Sequence, residues 1–190
     1  MDSKEKGAGN VMVVCRARPL NNKEIDKGAK CCLEFNKDKK NIAINMASET
    51  SAAFGQNRFQ FDHVFDMKST QKEVYDIAAR PIIDSVLDGF NGTIFAYGQT
   101  SSGKTHTMQG PDISDVENQG IIPRMVRTLF NRIETASENI EFTVKISMCE
   151  IYNERIKDLM DPAKDNLKIH EEKAKGVYIQ DVTEIYCSEE

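Results

Sequence analysis

Residues 98–105 read Gly-Gln-Thr-Ser-Ser-Gly-Lys-Thr, a complete G-x-x-x-x-G-K-[ST], and this octet constrains the fold more than any other stretch of the chain. The pattern works only as a turn between a strand and a helix, because most of its chemistry is backbone. Glycines at the first and sixth positions, Gly98 and Gly103, let successive N–H groups curl inward onto phosphate oxygens. A helix starting near Lys104 adds its positive end at the same point. Lys104 then suits the β- and γ-phosphates, and the Thr105 hydroxyl suits Mg²⁺. The run Thr93-Ile94-Phe95-Ala96-Tyr97 just before the loop predicts a short, fully apolar strand.

A second apolar run, Val11-Met12-Val13-Val14-Cys15, predicts a strand buried on both faces and ends abruptly in Arg16-Ala17-Arg18-Pro19. Phe59, Phe61, Val64 and Phe65 mark another strand or its edge, and alternation at Ile42, Ile44 and Met46 suggests a small exposed ribbon followed by a loop to residue 57. Between these lie helical patterns. Thr70-Gln71-Lys72-Glu73 fits a capping box, followed by Val74, Ile77, Ala78, Ile82, Val86 and Leu87 at helical spacing. Pro81 inside that pattern predicts a kink or a restarted helix, and Asn91-Gly92 a left-handed terminus. Ile122, Met125, Val126, Leu129, Phe130 and Ile133 form a second stripe, with Pro123 placed for the first helical position. Phe142, Val144, Ile146 and Met148 alternate as a strand with one apolar face, and short strands are expected at 167–170 and 176–179. Strands interleaved with helices make the chain α/β with a largely parallel central sheet.

Composition narrows the function classes. The 190 residues, 39% hydrophobic, suit one globular domain, and 25 Lys and Arg against 30 Asp and Glu give a net charge of −5. That balance lacks the global basic field of a nucleic-acid binder. Five cysteines, Cys15, Cys31, Cys32, Cys149 and Cys187, show neither C-x-x-C nor paired His spacing, so they read as reduced thiols. No apolar run approaches a membrane span and residues 1–10 lack a signal-peptide core, so a cytoplasmic protein is expected. His170-Glu171-Glu172-Lys173-Ala174 begins like H-E-x-x-H, but Ala174 stands where the second ligand belongs.

A nucleotide also needs a surface for its base. Arg16, Arg18 and Pro19 end the first strand, where open α/β sheets bind ligands, and His106 follows the phosphate loop. From the residues alone these read more readily as a solvated strand end and a surface histidine.

The sequence then becomes specific. Phe59-Gln60-Phe61-Asp62-His63-Val64-Phe65, the run Gly89-Phe90-Asn91-Gly92-Thr93-Ile94-Phe95-Ala96-Tyr97-Gly98-Gln99-Thr100, Gly120-Ile121-Ile122-Pro123-Arg124 and Glu150-Ile151-Tyr152-Asn153-Glu154 resemble signatures of the kinesin motor domain. The resemblance runs from about residue 10 to residue 190, and 166–180 looks most like the conventional, N-terminal-motor branch. It implies a P-loop NTPase whose central, mostly parallel sheet is flanked by helices and incomplete in this chain, with 1–9 a disordered tail and 10–190 the N-terminal half of a motor domain. The implied activity is microtubule-stimulated ATP hydrolysis coupled to movement, with ATP and Mg²⁺ bound by Gly98, Gln99, Thr100, Ser101, Ser102, Gly103, Lys104 and Thr105. Lys104 and Thr105 take the catalytic positions, and Thr105 holds the metal. By the same resemblance Arg16, Arg18 and Pro19 match the family's adenine-side R-x-R-P, His106 packs on the base's other face, and the loop at 110–120 interrupts a long helix near the nucleotide. Arg155, His170 and Lys175 fall where the family touches tubulin. Charge does not reveal that contact, since 150–175 holds six Lys or Arg and seven Asp or Glu.

The resemblance also implies what these residues lack. The family's switch I, N-x-x-S-S-R-S-H, and switch II, D-x-x-G-x-E, do not occur in residues 1–190, nor does a neck linker or heptad stalk. A homodimer through a stalk, and a coiled coil downstream, are expected of a full-length protein. In the resembled fold further strands lie between those present here. Residues 93–97 are therefore expected to leave backbone groups unpaired along their flanks, and the 190 residues alone to be unstable and not to turn over ATP. The alternative reading is a non-motor module that binds nucleotide or microtubules without turnover.

Overall fold

A computed structural model describes residues 11–45 and 57–188. The tail expected over 1–9 and the loop expected after Ile44, including Met46, lie outside the described residues. The chain divides into two compact units, one ending at Leu129 and one beginning at Phe130.

In the first unit the strand expected after residue 10 is shorter than its apolar run: β1 is Val14–Arg16. The aromatic stretch at 59–65 splits into two strands. β4 (Asn57–Gln60) joins β2 (Leu33–Phe35) and β3 (Asn41–Ile44) in an antiparallel sheet ordered β2-β3-β4. β5 (His63–Phe65) leaves that sheet and pairs parallel with β1, Val14 opposite His63 and Arg16 opposite Phe65. Asp62 marks the switch, its carboxylate accepting from the Val13 N–H at 2.7 Å while its own N–H donates to the Val13 carbonyl at 3.0 Å.

The first helical pattern starts where its capping box predicts. The Thr70 hydroxyl accepts from the Glu73 N–H and the Glu73 carboxylate accepts from the Thr70 N–H, opening α2 (Gln71–Val74). A π-helical turn, Tyr75–Ala79, follows and leads into α3 (Arg80–Leu87). Pro81 explains the turn: it has no N–H to donate, and its ring would clash with the carbonyl four residues back in a regular helix. The widened turn keeps Tyr75 and Ala79 buried on the same face as Val74 and Ile83.

The end of α3 differs from expectation. Gly89, at φ +96°, is the left-handed residue, with its N–H on the Val86 carbonyl and the Phe90 N–H on the Ser85 carbonyl, a Schellman closure. Gly92 has another reason to be glycine, because a Cβ there would lie 2.6 Å from an Ile82 methyl and 2.7 Å from a Val86 methyl.

The core of this unit is Phe65, Val74, Tyr75, Ala79, Ile83 and Ile121, with Val14, Ile94, Met108 and Met125 packed on it. Ile121 opens α5 (Ile121–Glu134). Pro123 is its third residue, not its first. The correction costs the helix nothing, because first-turn N–H groups have no carbonyl within the helix.

The predicted strand at 93–97 does not form a ladder with any described residue. Ile94 packs on the core, but Phe95 and Tyr97 are 77% and 96% exposed. An extended segment becomes a strand only when a neighbour takes its N–H and C=O groups, and apolar composition cannot supply the neighbour. The β1–β5 pair is accordingly the one parallel pairing among the described residues.

The second unit is a set of antiparallel pairs. β6 (Val144–Ile146) pairs with β11 (Ile185–Cys187), β7 (Cys149–Tyr152) with β8 (Arg155–Asp158), and β9 (Ile169–Glu172) with β10 (Gly176–Ile179). The β7–β8 turn is the two residues Asn153 and Glu154, both left-handed at φ +47° and +61°. Asp158, 2% exposed, ties the unit together by accepting from the Thr183 N–H at 2.6 Å, Met160 N–H at 2.8 Å and Asp161 N–H at 3.1 Å. Burial alone would raise its pKa, but these donors outweigh it and bring it to about 2.

Two outcomes are expected. Phe65, 1% exposed, sits where β5 meets the core, so Phe65→Ala should cost about 3–5 kcal/mol in urea unfolding. A loss under about 1 kcal/mol would show that the cluster is not the core. Asp158 is depressed in the folded chain, so its contribution is complete above the ordinary carboxylate range and disappears as pH falls toward about 2. Amide NMR should show the Thr183 and Met160 N–H resonances titrating there, and Asp158→Asn should abolish that titration.

Candidate functional site

The phosphate loop is built by two glycines with different tasks. Gly103 has φ +101° and stands at the N-cap of α4 (Lys104–Met108), where a side chain would meet nothing closer than 4.0 Å but the backbone angle excludes one. At Gly98 the limit is also space, because a Cβ would lie 2.5 Å from the Ser102 hydroxyl. Between them Ser101 is left-handed at φ +65°, and the Ser102 N–H returns to the Gln99 carbonyl at 3.2 Å. The first N–H groups of α4 have no carbonyl inside the helix. The Lys104 ammonium donates to the Gly98 carbonyl at 2.8 Å and the Gln99 carbonyl at 2.9 Å, across the loop's entry. Thr105 is exposed on α4.

Beside the loop lies a cavity of about 500 Å³ lined by Arg16, Arg18, Pro19, Ser101, Gly103 and His106, among others. Residues from the end of β1 and from the start of α4, some 85 positions apart, thus share one concavity.

The two arginines are held differently. Arg18 makes a bidentate pair with Glu24 at 2.7 and 2.8 Å, and its Nε donates to the Ser101 carbonyl at 2.8 Å. Glu24 is itself fixed in α1 (Asn22–Asp26), where it forms a capping box with Asn21. Hydrogen bonds from Arg18, then from the Asn21 N–H, bring its carboxyl down to about 2. Arg18 is therefore a neutralised strut between the strand end and the loop. Arg16 instead donates from Nη1 to the Gln71 side-chain oxygen at 2.7 Å and the Thr107 hydroxyl at 2.9 Å, both neutral acceptors. Burial lowers its pKa, yet at ordinary pH it remains a cation. Burial, then the Arg16 charge, lowers the pKa of His106 as well, which favours a neutral ring at the cavity.

Sequence reasoning missed Gln71, Thr107 and Glu24. Glu24 had a readable signal, Asn21 followed three residues later by a glutamate. Gln71 and Thr107 had none, since their partners are 35 to 91 residues away.

Arg155, His170 and Lys175 lie in the second unit. Arg155 opens β8 after the Asn153-Glu154 turn, beside Tyr152 and Lys157. His170 is an exposed β9 residue tilted against Tyr178, with ring centroids 6.0 Å apart. Lys175 lies in the β9–β10 turn, 3.9 Å from Glu172 and with its ammonium 5.2 Å from the centre of the Tyr178 ring.

The residues present fit a nucleoside triphosphate: a loop whose Gly98 has no room for a Cβ beside Ser102, a lysine bound only to carbonyls, and a concavity with a cation and an imidazole. Among the described residues no three of His, Cys, Asp and Glu gather into a metal cage. The Thr105 hydroxyl is an oxygen donor of the kind that takes Mg²⁺ beside phosphates.

The comparisons agree on one family. The family model of the kinesin motor domain matches residues 16–190. The kinesin heavy chain of Syncephalastrum racemosum is 45% identical over 177 residues, covering 93% of this chain and 18% of the relative. The kinesin-1 heavy chain of Homo sapiens is 44% identical over 180 residues, covering 94% of this chain and 17% of that one. A solved structure of a fast kinesin superposes with a TM-score of 0.85 at 43% identity, over 94% of this chain and 48% of that chain. The chain thus spans less than a fifth of these heavy chains and about half of the solved motor. Its α/β architecture around the phosphate loop is a partial P-loop NTPase fold of the kinesin kind. On the family match, the identities and the superposition together, this chain belongs to the kinesin motor domain family.

Proposed function

We infer that the chain supplies the nucleotide cradle, and part of the tubulin-binding face, of a microtubule motor driven by ATP hydrolysis. The observation that carries the reading is the single cavity in which the end of β1 meets the phosphate loop. Family membership supports it, and the solved fast kinesin is itself described by its ATPase mechanism and its interactions with microtubules.

Each residue's part follows from its chemistry. The N–H groups at Gly103 and the start of α4 bind phosphate oxygens. Lys104 neutralises charge that accumulates on the β- and γ-phosphates as the terminal phosphoryl group is transferred to water in line. Thr105 would hold Mg²⁺ through its hydroxyl, and the ion would supply positive charge against that of the phosphates. Pro19 and the neutral His106 ring offer apolar faces to adenine. Groups that position water and sense the γ-phosphate belong in the family to switch segments whose patterns are absent from residues 1–190, so turnover belongs to a protein containing them. Arg155, His170 and Lys175 meet tubulin's acidic surface as separate projecting groups, which a net charge of −5 does not prevent. Such a protein works on cytoplasmic microtubules, and among the described residues no helix is long and apolar enough to cross a membrane.

Two measurements test this. Lys104→Ala should weaken mant-ATP binding about tenfold or more, and should abolish phosphate release in a protein that also carries the switch segments. Unchanged affinity would remove the cradle from the reading. Microtubule co-sedimentation with a non-hydrolysable ATP analogue should be reduced by Arg155→Ala together with Lys175→Ala, and the difference should shrink as salt is raised. Equal pelleting at low salt would reject the tubulin assignment.

A further inference from the structure

The side chain of Gln71 is buried, at 5% exposure, and bonded to three distant segments. A buried primary amide is costly unless its donors and acceptor are met, so its partners define its task. Its oxygen accepts from Arg16 Nη1 at 2.7 Å. Its nitrogen donates to the His106 carbonyl at 2.7 Å and the Asn118 carbonyl at 3.0 Å. The two carbonyls fix which end of the amide faces which way, because only the nitrogen can donate to them. One side chain therefore links the end of β1, the backbone of α4 and the end of the 110–120 loop.

The nature of these partners decides what the link does. Arg18 is neutralised by Glu24, whereas Arg16 is held by Gln71 and Thr107, whose oxygens carry no net charge. Neutral acceptors fix the guanidinium in direction and leave its charge to act on whatever occupies the cavity. A carboxylate at the same place would cancel that charge and would face the His106 and Asn118 carbonyls with like polarity.

We propose that Gln71, assisted by Thr107, is a positioning residue for the base side of the nucleotide cavity, aiming the Arg16 cation and the His106 backbone at the nucleoside and joining both to the 110–120 loop. The inference rests on the nucleotide reading of the cavity. It gives the phosphate loop and the base side separate supports, so damage to Gln71 falls on the nucleoside and spares the phosphates.

The test compares two probes on the whole chain: mant-ADP, which uses both sides of the site, and inorganic tripolyphosphate, which uses the loop alone and is read by competition. Gln71→Met, of similar size but unable to bond, should weaken mant-ADP about tenfold and leave tripolyphosphate within about twofold. Gln71→Glu should do the same through cancelled charge. In a double-mutant cycle with Arg16→Met, the Gln71→Met effect on mant-ADP should largely vanish, as it must if it acts through Arg16. Should Gln71→Met prove unfolded by circular dichroism, Thr107→Val removes the other Arg16 acceptor and should give the same selective loss, about threefold. Equal losses for both probes, or full additivity with Arg16→Met, overturn the proposal, as does mant-ADP affinity unchanged in every variant. If the unaltered chain binds neither probe, the nucleotide reading itself fails and takes the proposal with it.

Discussion

The site depends on a backbone reversal that glycine makes without strain. At Gly103 the chain passes through φ +101° and enters α4, so the helix's free N–H groups face the same side as the loop before it. Substituting any residue with a Cβ would strain that angle although the surrounding space is open, whereas at Gly98 a Cβ would strike the Ser102 hydroxyl as well. The loop is therefore constrained at one end by conformation and at the other by close approach too.

Around this reversal the charges are divided by function. Three cations approach the loop, and each has a different kind of partner. Arg18 meets a carboxylate and is locked, its third contact reaching the Ser101 carbonyl so that the strand end and the loop move as one. Arg16 meets neutral oxygens and keeps its charge. Lys104 meets only loop carbonyls. Identical residue types in R-x-R thus do unlike work, because a carboxylate takes Arg18 and neutral oxygens take Arg16.

This explains which parts of the molecule were readable from sequence. The phosphate loop and the Thr70 capping box are local: each encodes its geometry within eight residues or fewer, and both appear where the pattern places them. The Pro81 interruption was readable as an event but not as a π turn, since the manner of accommodating a proline depends on which face must stay buried. Gly92 looked like a helix terminus because Asn-Gly so often is one, but Gly89 takes that role and Gly92 is held small by Ile82 and Val86. The β7–β8 turn at Asn153-Glu154 lacks the Asn-Gly signal of a two-residue hairpin, although both residues adopt its left-handed angles. Gln71 is invisible for the most basic reason: in sequence it is an interior position of a capping box, and its three partners come from remote segments. Resemblance to kinesins brings Arg16, Arg18, Pro19 and His106 forward, whereas the residues alone favour a solvated strand end and a surface histidine.

The stretch before the loop shows how this arrangement stands without a strand ladder. Residues 93–97 carry the apolar content of a buried strand, yet only Ile94 reaches the core, and Phe95 and Tyr97 face outward without a described neighbour across them. The entry to the loop is consequently anchored by one side chain below and by Lys104 above, through the Gly98 and Gln99 carbonyls. An ammonium has three donors, and two of them serve these carbonyls. The third can turn to a phosphate oxygen without dismantling the support, so the same lysine can brace the loop and begin to bind its ligand. Moving further onto the phosphates exchanges carbonyl partners for anionic ones, which make shorter and stronger bonds to a cation. On the nucleotide reading proposed above, the bracing bonds would therefore give way to the ligand in the favourable direction.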